Sequence, residues 1–300
     1  MSRESSRNAG FAYSERLGAD ATGRTVLAHL TARYPHSTAA EWRARVEAGS
    51  VLLDGVAASA GDLLHAGQSL VWQRPGWTEP DAPVGYAVLY RDADLLAVAK
   101  PSGLPTLPGG GFLESTLLHC VRRSWPDAAP LHRLGRATSG VVLCSLTAQA
   151  RRKLTAVWGE GRVEKTYRAL VRGTPERSEF SVDAPIGPVP HPKLGTLHAA
   201  SPRGKPAMSH VRVVDSRQDG TLVEVRIVTG RPHQIRIHLA AAGHPLVGDP
   251  VYAVGGVPLT EPGLPGDPGY LLHAWRLRFT HPVSGARIAL ECLPPPSLRD

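Results

Sequence analysis

Two short segments concentrate polar, planar and cationic groups inside strand-rich sequence. The first, Leu131-His132-Arg133-Leu134-Gly135-Arg136-Ala137-Thr138-Ser139-Gly140, feeds the apolar run Val141 to Cys144. The second, Thr229-Gly230-Arg231-Pro232-His233-Gln234-Ile235-Arg236, lies where a strand hands over to a helix N-terminus. Guanidinium groups and the free N–H groups of a helix start both attract anions, phosphate foremost. The plainer alternative is a solvated loop and a capped helix. A third segment, Val163 to Val171, alternates as a strand does and sets Lys165, Tyr167 and Ala169 on one face. A ring there is either an active-site wall or part of a sheet's core.

Metal and nucleotide-cofactor chemistry find little support. His233 and His238 are five residues apart, on different sides of a helix. Cys120, Cys144 and Cys292 are too far apart for a metal knuckle or a disulfide framework. Gly109-Gly110-Gly111 has neither the lysine of a phosphate-binding loop nor the helix context of a dinucleotide fingerprint, and reads as a turn.

The elements that must position these groups fall into two parts. Residues 1–15 read as a loose tail without hydrophobic period. Residues 16–73 read as two short helices and a small sheet. Val26, Leu27 and Leu30 recur at helical spacing. Thr38-Ala39-Ala40-Glu41 is a capping box, Ala39, Trp42 and Val46 share one helical face, and Asp54-Gly55 is a hairpin turn. Residues 74–85, with Pro75, Pro80 and Pro83, read as a linker. Residues 86–300 read as an α+β domain on a large, mixed, mostly antiparallel sheet, with a helix starting at Pro232 and ending by Gly243.

Of 300 residues, 42% are apolar and 20% charged, the make-up of a soluble globular chain. No apolar run approaches the ~20 residues of a membrane span, and the polar start lacks a signal peptide's apolar stretch. A cytoplasmic protein without membrane contact is expected. The net charge of +8 belongs wholly to residues 81–300, because residues 1–80 hold eight basic and eight acidic side chains. The excess suits a polyanion, or serves solubility alone.

At this point several motifs in order resemble one family. His132 to Gly140, Lys165-Thr166-Tyr167 and Arg231 to Arg236 are similar to the RluA-type RNA pseudouridine synthases. So are Tyr90-Arg91-Asp92 through Lys100-Pro101-Ser102-Gly103-Leu104-Pro105, Gly204-Lys205-Pro206-Ala207, and Gly243 through Pro250. The likeness covers residues 85–293, while residues 16–72 look like the S4-type RNA-binding module often fused in front. The related RsuA type, with Gly-Arg-Leu in place of His132-Arg133-Leu134, fits less well.

The resemblance implies isomerisation of uridine, in which the bond from ribose C1′ to uracil N1 breaks and the base rejoins through C5. A carboxylate serves such chemistry as a nucleophile or by stabilising positive charge at C1′, and the uridine must first leave the stack. Tyr167 matches the family's tyrosine that packs on the extruded base. Arg133 matches the arginine that fills the flipped nucleotide's place, and Arg231 the one that pairs with the catalytic aspartate. The aspartate itself is missing: its position is Gly135, and no Asp or Glu occurs from Ala128 through Gly159.

Three readings stay open. A carboxylate from elsewhere replaces the aspartate, with Asp127, Glu160, Asp94 and Asp249 as candidates. Alternatively the chain is a non-catalytic RNA-binding protein, or a different enzyme on the same scaffold. The partner expected is ribosomal or transfer RNA, with no DNA, no metal and no organic cofactor, and a monomer by default. Contacts are expected from His132, Arg136, Lys100, Lys165, Lys193 and Lys205 around the cleft, and from Arg43 and Arg45 on the second helix.

Overall fold

The computed structural model describes residues 2–3, 7–192 and 194–300. It divides into a smaller unit, Ser5–Glu79, and a larger unit built on Pro80–Asp300.

In the smaller unit the helix Val26–Arg33 starts at Thr25, whose Oγ1 accepts from the Ala28 N–H. The helix Ala39–Glu47 starts with the expected capping box between Thr38 and Glu41. Trp42 and Val46 are buried with Leu30, Val51, Leu64 and Leu70, whereas Ala39 is exposed. Four antiparallel strands run in the order Phe11–Arg16, Ser69–Arg74, Val51–Leu53, Val56–Ala57. Asp54 and Gly55 both have positive φ, 49° and 86°, as a two-residue hairpin turn requires.

The expected tail of residues 1–15 is corrected here. Phe11–Arg16 is an edge strand whose side chains are nearly all exposed, so its sequence carries no burial period; its hydrogen bonds to Ser69–Arg74 hold it. The expected linker of residues 74–85 is narrowed as well. Arg74 ends a strand, the Asn8 N–H donates to the Trp77 carbonyl (3.0 Å), and Asn8 Nδ2 donates to Glu79 (2.7 Å), which ties residues 75–79 into the smaller unit.

The larger unit is α+β. Its main sheet runs in the order Glu179–Val182, Ser209–Arg217, Gly220–Ile227, Glu164–Val171, Leu272–Thr280, Ser139–Ser145, Leu95–Lys100, Ala87–Arg91. Every pairing along it is antiparallel except that of Ser139–Ser145 with Leu272–Thr280. At that parallel junction Gly140 faces Ala274 with φ 116°, and a Cβ there would lie 2.2 Å from the Ala274 carbonyl oxygen; only glycine fits. Both sheet faces are covered. Leu95, Ala97, Val141 and Leu143 meet Leu154 of the helix Ala148–Gly159 on one side. Leu96, Val98, Val142 and Cys144 join Tyr167, Val223, Val225 and Leu239 on the other, which is why these strands read as continuous apolar runs.

The helix expected from Pro232 begins at Gln234 and ends at Ala241. His233, at its N-cap, takes a left-handed φ of 54°. Among the described residues no helix is long and apolar enough to cross a membrane.

Candidate active site

The loop Leu131–Gly140 is anchored from below. Lys100, 1% exposed, ends the strand Leu95–Lys100, and its Nζ donates to the carbonyls of Pro101 (2.9 Å), Leu104 (2.6 Å) and Arg136 (3.2 Å). Burial pushes its pKa down to about 7, and the three carbonyl oxygens favour keeping the proton. Ser102 Oγ donates to the Ala137 carbonyl (2.6 Å) and Thr106 Oγ1 to the Leu134 carbonyl (2.9 Å). The Gly103 N–H donates to the Arg136 carbonyl (2.8 Å). The peptides on both sides of Gly135 are thus fixed, and Gly135 faces outward, exposed. Lys100 is therefore no surface RNA contact: its ammonium is consumed inside the protein.

Gln234 organises the opposite wall. Its Oε1 accepts from Thr229 Oγ1 (2.7 Å) and the Arg231 N–H (3.0 Å), and its Nε2 donates to the Met208 carbonyl (2.9 Å) and Ser209 Oγ (3.1 Å). Two turns of chain are held by one buried amide. Arg236, 3% exposed, forms a bidentate pair with Asp249, Nε to Oδ2 and Nη2 to Oδ1 both at 2.7 Å, and donates Nη1 to the Pro265 carbonyl (2.8 Å). Asp249 also accepts from the Val251 and Tyr252 N–H groups. The expected pairing arginine, Arg231, has no carboxylate partner among the described residues: its Nε donates to the Pro206 carbonyl (3.0 Å). The guanidinium that a buried carboxylate orients is Arg236.

These walls enclose a cleft of about 600 Å³. Tyr167, Arg133, Gly135, Arg136, Arg231, Arg236 and Tyr270 line it. Tyr167 comes from the middle of the strand Glu164–Val171, beside a register shift against Leu272–Thr280. Burial raises its pKa to about 12, so it is a neutral phenol, and its hydroxyl has no hydrogen-bond partner among the described residues. Arg133 is exposed, with neither hydrogen bond nor ion pair among the described residues. Arg136 donates Nε to the Gly266 carbonyl (2.7 Å). Tyr270, buried under the Arg236 guanidinium (4.2 Å), brings its hydroxyl to 3.3 Å from Thr138 Oγ1.

Four guanidinium groups line this cleft and, among the described residues, no Asp or Glu side chain does. Asp249 stands behind Arg236, with its side chain 1% exposed. Asp94 accepts from Thr147 Oγ1 (2.9 Å), Glu160 accepts from Arg162, and Asp127 is exposed. None of the four candidates lines the cleft. At Gly135 the φ lies outside the left-handed region, and a Cβ would meet only the Tyr270 hydroxyl (3.1 Å) and Thr138 Oγ1 (3.5 Å). Unlike Gly140, then, residue 135 is not glycine because the backbone demands it.

The other expected contacts divide. His132 lies against Trp158 (ring centroids 4.8 Å apart), and its Nε2 accepts from the Leu143 N–H (3.1 Å), a structural role. Burial, then the Lys165 charge, pushes its pKa down to about 4. Lys165 is 6% exposed and is not part of the cleft lining; Lys205 is exposed and also outside it. Arg43 is exposed on its helix, and Arg45 lies over the rings of Trp42 (4.5 Å) and Trp72 (4.6 Å). Lys193 falls outside the described residues. Among the described residues no cluster of His, Cys, Asp and Glu could hold a metal ion.

Of the cleft residues, Tyr270 lies outside the two segments picked out in sequence, and Arg236, Thr138, Gln234 and His233 lie within them without a role assigned to each. His233 is the hardest to foresee. Tyr252 Oη donates to the His198 carbonyl (2.7 Å), so it accepts from His233 Nδ1 (2.7 Å) and leaves Nε2 without a proton. Burial, then the charge of Arg236, pushes the His233 pKa down to about 3.

Comparison with known proteins agrees with this geometry. Residues 94–241 match the family described as RNA pseudouridylate synthase. An uncharacterized RNA pseudouridine synthase of Synechocystis is 42% identical over 91% of this chain and 95% of its own length. RNA pseudouridine synthase 5 of Arabidopsis thaliana is 36% identical over 97% and 94%. Ribosomal large subunit pseudouridine synthase D of Nitrosomonas europaea is 35% identical over 88% and 78%. Among solved structures, human RNA pseudouridylate synthase domain containing 1 superposes with a TM-score of 0.56 at 27% identity, covering 74% of this chain and 89% of that one. With its sheet, its cleft and these relatives, the chain belongs to the RNA pseudouridine synthases, a family of isomerases, and within it to the RluA type.

Proposed function

We propose that this chain holds a uridine flipped out of ribosomal RNA in the cleft and isomerises it to pseudouridine, and that the smaller unit is an S4-like RNA-binding module. The observation that carries the reading is the cleft itself: the phenol of Tyr167, without a hydrogen-bond partner among the described residues, lies in a lining with four guanidinium groups. An aromatic wall suits the face of an extruded base. Arg133, without a hydrogen bond or ion pair among the described residues, fills the place that the base vacates, and the cationic lining favours phosphates and the electron-rich uracil leaving group. The relatives named as large-subunit pseudouridine synthases support ribosomal RNA as the substrate class.

The carbon side of the broken bond is less well served. With Gly135 in the nucleophile position, no Asp or Glu side chain lines the cleft among the described residues: Asp249 is bound to Arg236, and Asp267 is paired with Arg136 (Oδ1 to Nη2 3.7 Å). Turnover far below that of a carboxylate-bearing site is expected, because losing a nucleophile commonly costs several orders of magnitude. This same observation favours the second reading, a non-catalytic RNA-binding protein. Tritium release from ribosomal RNA labelled at uracil C5 separates them. Slow release, abolished in Tyr167→Ala, supports isomerisation; tight, salt-sensitive binding with no release supports the binding protein.

A further inference from the structure

We propose that an aromatic recess on the smaller unit stacks an unpaired base of single-stranded RNA, as a contact separate from the uridine cleft. The recess is a cavity of about 620 Å³ walled by Phe11, Tyr13, Tyr34, Trp42, Trp72 and Arg74. Its geometry follows from strand register: Phe11 pairs with Arg74 and Tyr13 with Trp72, so alternate residues deliver their rings to one face. Tyr13 and Trp72 are stacked with centroids 5.5 Å apart at 21°. Yet Phe11 is 47% exposed and Tyr13 45%.

Charge identifies the occupant. The Arg45 guanidinium lies over Trp42 and Trp72, and that of Arg74 lies 3.5 Å from the Trp77 ring centroid. Neither arginine forms an ion pair among the described residues. Glu15, the one acidic wall residue, is already engaged by the Tyr34 hydroxyl (2.7 Å), His29 Nε2 (3.1 Å) and Arg33 Nε (3.6 Å). The Trp72 indole N–H is buried without an acceptor among the described residues. Arg45 donates Nη1 to Ser37 Oγ (2.9 Å), so both guanidinium groups keep their charge without a carboxylate among the described residues, and flat apolar faces beside them fit a nucleotide, which brings a π-face and a phosphate together. An apolar peptide would leave both arginines unanswered.

This inference rests on the RNA reading, and the experiment separates their failures. Full-length protein is titrated with a single-stranded oligouridylate carrying 4-thiouridine, and the photo-crosslinked peptide is then mapped. Crosslinks within residues 11–16 or 72–74 are expected, with affinity falling about 5- to 150-fold in Tyr13→Ala. Tyr13→Phe, which keeps the ring, should bind as the natural protein does. The ratio of wild-type to Tyr13→Ala affinity should hold as salt rises, since stacking is not screened. Crosslinks confined to the cleft, with Tyr13→Ala affinity unchanged, would overturn the recess and leave RNA binding intact. A ratio that collapses with salt would also overturn it. If the natural protein binds no RNA at all, both fall.

Discussion

Lys100→Met removes one buried cation and three hydrogen bonds at once. The methionine keeps the length of the side chain, but the carbonyls of Pro101, Leu104 and Arg136 lose their donor. Hydrogen bonds from a charged donor contribute roughly 1.5–3 kcal/mol each. Three of them amount to about 5–9 kcal/mol, offset by the desolvation that the buried ammonium no longer suffers. A net loss of about 2–4 kcal/mol is expected, read as a shift of the urea midpoint at constant slope. The loss should be local in character. The Gly103 N–H, bonded to the Arg136 carbonyl at 2.8 Å, should exchange faster with deuterium, while amides of the strand Ser139–Ser145 lose only what global stability loses. A surface RNA contact would behave in the opposite way. A stability loss below about 1 kcal/mol, with Gly103 protection unchanged and RNA affinity reduced, would refute the anchoring role.

Asp249→Asn leaves the Arg236 guanidinium buried without its carboxylate, and a loss of about 3–5 kcal/mol is expected in denaturant titration; a loss under about 1 kcal/mol would show the pair to be dispensable. His132 and His233 have folded-state pKa values near 4 and 3, below the ordinary 6.5. Below pH 6.5 the unfolded chain therefore takes up protons that the native state refuses, so stability falls as pH drops from 6.5 towards 4, by at most about 1.4 kcal/mol per pH unit for each histidine. A flat urea midpoint between pH 7 and 5 would contradict both assignments. Tyr167→Phe should leave stability unchanged, because the phenol has no hydrogen-bond partner among the described residues, whereas Tyr167→Ala should cost about 3–5 kcal/mol. A clear loss of stability in Tyr167→Phe would reveal a partner for the hydroxyl.

Much of this was legible in local sequence where local chemistry decides. The Thr38–Glu41 capping box, the Asp54-Gly55 turn and the strand bearing Tyr167 all depend on neighbours a few residues away. Phe11–Arg16 escaped because an edge strand exposed on both faces has no hydrophobic alternation to read. Lys100 and His132, expected as RNA contacts, sit within or beside the cleft motifs in sequence, where nothing local marks them as buried. What buries them is distant chain: the Arg136 carbonyl for Lys100, and the Leu143 N–H and Trp158 ring for His132. Arg231 and Arg236 belong to one motif, and only tertiary pairing with Asp249 shows which is held by a carboxylate. The four candidate replacement carboxylates were proposed by arithmetic alone, and each is engaged or exposed away from the cleft lining.

The proposed function makes the cleft a uridine site that lacks only its nucleophile. Its most direct test is tritium release from C5-labelled ribosomal RNA by the natural protein and by Gly135→Asp, side by side. The added Cβ asks only that the Tyr270 hydroxyl, 3.1 Å away, give by a few tenths of an ångström. Release by the aspartate variant at a rate several orders of magnitude above the natural protein is the result predicted. Equal release by the two proteins would contradict it, for the natural cleft would then hold a nucleophile other than residue 135.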